Sequence, residues 1–134
     1  MSSNRSPDIE IYVKHLDQND LVCWLEKHFK IDKAQFLSTL KLTDQKMSSH
    51  IVTNEQAKIE LMITPNAAGK AYTSLWFKSD FTPWHDDKCC ALSFLEIKDA
   101  EVRCSANSWH EEEEEASEQW LVLTRDGEKK VKWL

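Results

Sequence analysis

Two runs of alternating residues meet at Asp126-Gly127, and this junction constrains the fold of the chain more than any other feature. A two-residue Asp-Gly loop fixes the register of the strands on either side of it. Arg125 then faces Glu128, Val122 faces Val131 and Trp120 faces Trp133. Both apolar pairs fall on one face, with Lys130 and Lys132 on the other, so turn and pattern agree on a hairpin with a buried apolar face.

The same alternation recurs upstream. Ile9, Ile11 and Val13 alternate with Glu10, Tyr12 and Lys14, which predicts a half-buried strand over residues 8–15. Strand signals follow at 49–54, 57–64 and 71–79, the last after the turn chemistry of Pro65-Asn66-Ala67-Ala68-Gly69. Residues 49–79 therefore read as an antiparallel meander, and Glu101 to Ser105 adds a short strand. Asp17 offers an N-cap for a helix over 18–30, with Leu21, Val22, Leu25 and Phe29 at helical spacing. A second helix is expected with Thr82 as N-cap and Pro83 at its first position, running through Cys89, Cys90, Leu92, Phe94 and Leu95 to Lys98. Between residues 31 and 48, Asp32 and Gln35 resemble a capping box while Thr39 to Thr43 alternates like a strand; the reading leans to a short helix.

These elements define an α+β fold: a two-layer sandwich with a mostly antiparallel sheet and two main helices on one face. A faint echo links Ile11-Tyr12-Val13-Lys14 to Leu75-Trp76-Phe77-Lys78, each followed by acids, a cysteine and a helix, as a duplicated strand-helix-strand-strand unit would be. Residues 1–7 are polar, end in Pro7 and read as a tail; residues 8–134 read as one domain. At 134 residues, 41% hydrophobic and 30% charged, the chain has the composition of a folded protein with a real core.

Charge narrows the partners. Of the net −6, the run Glu111 to Glu115 supplies five, leaving a nearly neutral body with dispersed lysines. That body lacks the basic stripe that nucleic-acid or anionic-membrane binding needs, so neither partner is expected. The start of the chain has no apolar stretch behind Arg5, and no run approaches the ~18 apolar residues of a membrane span. A cytoplasmic location is expected, with Cys23, Cys89, Cys90 and Cys104 as thiols.

Only Gly69 and Gly127 occur, which excludes glycine-rich phosphate loops, dinucleotide fingerprints and nucleophile elbows. The densest reactive segment is Trp84-His85-Asp86-Asp87-Lys88-Cys89-Cys90. His85 and Cys89, four apart, share a helix face and could be joined by Cys104 or His110 in ligating zinc. Against that, Asp86 and Asp87 suit a helix start, and adjacent helical cysteines diverge by about 100°, placing one in the core and one at the periphery. Neither metal nor cofactor is expected.

Six tryptophans exceed the needs of such a core. Trp84 and Trp109 stand in polar connections beside His85 and His110, and loop aromatics are what binding surfaces use; the alternative is that they fold back over the core. Pro83-Trp84, Asp87, a cysteine-bearing helix, Glu101-Val102-Arg103-Cys104, Trp109, Trp120 and Val131-Lys132-Trp133 together resemble a pattern of small, single-domain bacterial proteins without assigned function. That resemblance covers the C-terminal half and implies a bacterial cytoplasmic protein of α+β fold with no known activity.

The leading expectation is thus a non-enzymatic protein-binding or regulatory module, with Trp84, His85, Trp109 and His110 at its binding surface. The competing one is a small metal-binding protein or enzyme built on His85, Asp86, Asp87 and the cysteines.

Overall fold

β1 (Ile9–Lys14) is the strand the alternation predicts, with Ile9, Ile11 and Val13 at most 1% exposed. The computed structural model describes residues 8–40, 46–67, 71–105 and 119–132; the expected tail at 1–7 lies outside them. From β1 the chain turns through His15 into α1 (Gln18–His28), whose N-cap Asp17 accepts from the Asn19 and Asp20 amides. α2 (Lys33–Thr39) follows, capped by Asp32 on the Gln35 amide, so the short helix expected there forms; residues 41–45 lie outside the described set.

β2 (Ser48–Thr53), β3 (Lys58–Thr64) and β4 (Tyr72–Phe77) form the antiparallel meander. After α3 (Asp87–Leu95) come β5 (Val102–Ser105), β6 (Gln119–Thr124) and β7 (Gly127–Lys132). The strands make one seven-stranded sheet in the order β2-β3-β4-β1-β5-β6-β7, with every pairing antiparallel. The two echoing segments are neighbours at its centre, with Ile11 opposite Leu75.

The helices cover one face. Ile9, Ile11, Val13, Leu61, Ile63, Leu75, Phe77, Val102, Cys104, Leu121 and Leu123 point into one core with Leu21, Trp24, Leu25, Phe94 and Leu95 from the helices. Trp24 joins the layers: its ring meets Phe77 of β4 at 5.8 Å and Phe94 of α3 at 5.3 Å. Its indole N–H donates to Ser93 Oγ at 2.9 Å, so the one polar atom of a fully buried ring is satisfied.

Two expectations are corrected. The hairpin loop is Arg125-Asp126, so Thr124 faces Gly127, Val122 faces Lys129 and Trp120 faces Val131, a slip of two residues. Gly127 opens β7 at φ +141°, a backbone region that favours glycine, and the Asp126 amide donates to Thr124 Oγ1 at 3.2 Å. A two-residue slip preserves the faces, but the face packed on the helices is that of Leu121 and Leu123; Trp120 and Val122 lie opposite. Trp133 is outside the described residues.

The second correction concerns α3, which begins four residues later than expected. Asp86 is its N-cap, accepting from the Cys89 amide at 2.9 Å, while Thr82 Oγ1 accepts from the Trp84 amide at 3.4 Å and donates to the Trp84 carbonyl at 3.1 Å. The Thr82 hydroxyl closes a local turn by also donating to the Trp84 carbonyl, and the helix begins only after Asp86.

Candidate functional site

Trp84 is a core ring. It is 5% exposed, stacks on Trp24 at 5.1 Å and meets Phe77 and Phe29 edge-on at 5.2 and 5.6 Å. The expectation of a loop aromatic offered to a partner gives way to its alternative, a ring folded back on the core. The cause is local: residues 78–86 pass the end of α1, and burying an indole among three aromatic neighbours gains roughly 3 kcal/mol. His85 beside it is exposed. Trp109 and His110 lie outside the described residues, so the four residues expected to share a surface are not brought together by the described part of the chain.

The Asp86–Cys90 segment divides as its helical geometry dictates. Cys89 is exposed and Cys90 fully buried, as is Cys104 across on β5. Asp86 caps the helix, whereas Asp87 turns inward and accepts the Glu10 amide at 3.2 Å. Burial pushes the Asp87 carboxyl up to about 7; the Glu10 amide opposes this, and the charges of Asp8, Glu10 and Asp86 add to it. Burial first, and then the Asp87 charge, raises Cys90 well above the usual thiol range and Cys104 to about 12. Cys89 is also raised, by burial and then by Asp86. These thiols stay protonated at neutral pH and are poor nucleophiles. Among the described residues, no three His, Cys, Asp or Glu side chains are arranged to hold a metal ion.

The residues the sequence reading missed lie on the sheet face opposite the helices. Glu10, Tyr12, Ser74, Trp76, Met62, Arg103, Trp120 and Val131 share it by register. Tyr12 and Trp120 meet edge to face at 5.4 Å, both half-buried. Lys78 Nζ lies 4.5 Å from the Trp76 centroid, so that ring already takes a cation.

Polar contacts hold the rings in place. The Trp76 indole N–H donates to Asp8 Oδ2 at 2.9 Å, Ser74 Oγ donates to Glu10 Oε2 at 2.8 Å, and Tyr72 O–H donates to Glu101, which also pairs with Arg103 at 3.0 Å. Asp8 and Glu10 thus hold neutral donors, and among the described residues no lysine or arginine lies within ion-pair distance of either. The signal was present as Tyr72-Thr73-Ser74-Leu75-Trp76, where rings alternate with core residues. What it did not contain was the side on which the helices would pack.

Comparison with protein-family models, with characterised proteins and with solved structures finds no match to this chain.

Proposed function

We propose that this chain is a small cytoplasmic protein-binding module whose working surface is the sheet face opposite the helices, and that its partner is a folded protein presenting arginine or lysine. The supporting observation is the pair of carboxylates, Asp8 and Glu10, that lack a cation among the described residues while fixing Ser74 and the half-buried Trp76. The Trp76 ring already carries Lys78, so the two carboxylates are what a partner's cation would meet, and arginine suits them because its planar fork bonds a carboxylate through two N–H groups. The net charge of −6 favours a basic partner over distance. Rigid strands supply the rings at low entropic cost, which is what binding anchors need. The cytoplasmic assignment is supported by four unbridged cysteines. Among the described residues, no helix is long and apolar enough to cross a membrane.

A photoreactive group at Met62 on the face opposite the helices, and separately at Leu92 on the helical side, tests the proposal in intact cells. The expected result is a specific cross-link from Met62 to a basic protein. Its affinity for the purified chain should fall about tenfold with Glu10→Gln, the loss of a charged contact worth ~1.4 kcal/mol, and should weaken with salt. Cross-linking from Leu92 alone, only to a second copy, or insensitive to Glu10→Gln overturns it.

A further inference from the structure

His50 is a buried imidazole whose two nitrogens both meet hydroxyl groups. Nδ1 lies 3.2 Å from Thr39 Oγ1 and Nε2 lies 2.8 Å from Ser48 Oγ. The ring is 6% exposed and packs on Phe36 at 4.4 Å, so it is held firmly. The tautomer follows from the third set of contacts. Thr39 Oγ1 is also 3.2 Å from the carbonyl oxygens of Gln35 and Phe36, which only accept, so its proton is committed to them. Thr39 Oγ1 must then accept from His50 Nδ1–H, and that leaves a lone pair on Nε2 to accept the Ser48 hydroxyl proton. A serine whose proton points at a neutral imidazole, itself oriented from behind, is the arrangement of an activated nucleophile.

The surroundings fit. Ser48 is partly exposed, and its neighbours Ser49 and His50 border a cleft of about 260 Å³ whose other walls are both polar, from Asp32 and Gln35, and apolar, from Ile31 and Ile51. β2 is an edge strand of the sheet, and the mutual bridge between Thr53 and Lys30 shows which way its outer backbone groups point. By alternation along the strand, the Ser49 and Ile51 amides point outward too, away from β3. The Ser49 N–H, directly after Ser48, is placed to donate to an oxygen that gains charge. Burial lowers the His50 pKa, which keeps the ring neutral at neutral pH.

We propose that Ser48, His50 and Thr39 form an acyl-accepting site for esters with a small acyl group, an activity beyond the binding role of the sheet face opposite the helices. Ser48 Oγ attacks the ester carbonyl carbon while its proton passes to His50 Nε2. The bond to the leaving alcohol breaks as that alcohol takes the proton from Nε2. Water, losing a proton to Nε2, then attacks the acyl carbon, and the Ser48 oxygen leaves and regains the proton. The balance is ester plus water giving acid plus alcohol. Thr39 is a positioning residue that fixes the tautomer.

The full-length chain is treated with p-nitrophenyl acetate and, separately, with a fluorophosphonate, and the modified residue is located by mass spectrometry. The expected result is one label per chain on Ser48, absent in Ser48→Ala. Thr39→Val, which removes the acceptor behind the ring, is expected to slow acylation about 10- to 100-fold, the scale of losing a partner that orients a catalytic imidazole, and Thr39→Ser to restore it. Ser48→Ala changes a partly exposed residue, so loss of label in a chain of unchanged circular dichroism reports on chemistry. An unlabelled Ser48, label confined to lysines or cysteines, or a Thr39→Val rate equal to the parent's overturns the proposal.

Discussion

The Asp87 carboxylate accepts the Glu10 backbone amide at 3.2 Å, joining the first turn of α3 to the second residue of β1. β5 pairs with β1 at Tyr12 and Val13, and Asp87 reaches β1 beyond those pairs. The side chain thus ties the central strand to the helix layer, and its burial has a consequence for stability. The Asp87 carboxyl moves from its ordinary 3.8 to about 7 on folding, so the folded chain holds this proton more tightly than the unfolded one. For a raised carboxyl, stability is fully present below pH 4, declines as pH rises from about 4 to 7 and is level above. The decline amounts to up to about 4 kcal/mol. Asp87→Asn keeps an oxygen acceptor and removes the charge. The variant is expected to match the parent near pH 4 and to exceed it by a few kcal/mol at pH 8. Parallel urea midpoints across this range would show instead that the carboxyl is not buried as described.

Trp84→Ala is expected to unfold the chain readily. Truncating a ring held by Trp24, Phe29 and Phe77 leaves a cavity and typically costs about 3 to 5 kcal/mol, a large share of a small domain's stability. Equal denaturation midpoints for parent and variant would return Trp84 to the surface.

Gly127→Ala separates backbone strain from crowding. Nothing lies within 4 Å of a Cβ built there, yet φ is +141°. A loss of about 1 to 3 kcal/mol, from thermal or denaturant melting, is expected from the backbone alone. An unchanged midpoint would mean that β7 starts with a different backbone.

Local signals were the legible part of the fold. Asp17 and Asp32 act on amides two or three residues away, and both cap the helices expected of them. Strand positions followed from alternation, which depends only on the pleat. What failed required knowledge of the other layer. Trp120-Leu121-Val122-Leu123 is apolar on both faces, so its pattern could not say which side meets the helices. Thr82 and Asp86 are both good caps, and burial of Trp84 between them decides the matter. His50, Ser48 and Thr39 carry no sequence spacing that unites them, because α2 brings Thr39 to β2 across a connection.

The cysteines give a final test, because one helix places two adjacent thiols in opposite environments. Cys23 on α1 and Cys89 on α3 are exposed, while Cys90 and Cys104 are fully buried. An aromatic disulfide reagent should therefore modify two thiols per folded chain promptly. The other two should react only as fast as the chain opens, and all four should react in denaturant. Cys89→Ser should remove one prompt thiol. Asp86→Asn sharpens the test: asparagine caps a helix as well as aspartate does, but it removes a negative charge that, after burial, holds the Cys89 thiol up. The thiolate fraction at Cys89 should rise and its labelling should quicken, with the helix intact by circular dichroism. Prompt reaction of three or four thiols, or a Cys89 rate indifferent to Asp86→Asn, would mean that α3 does not present its cysteines as described.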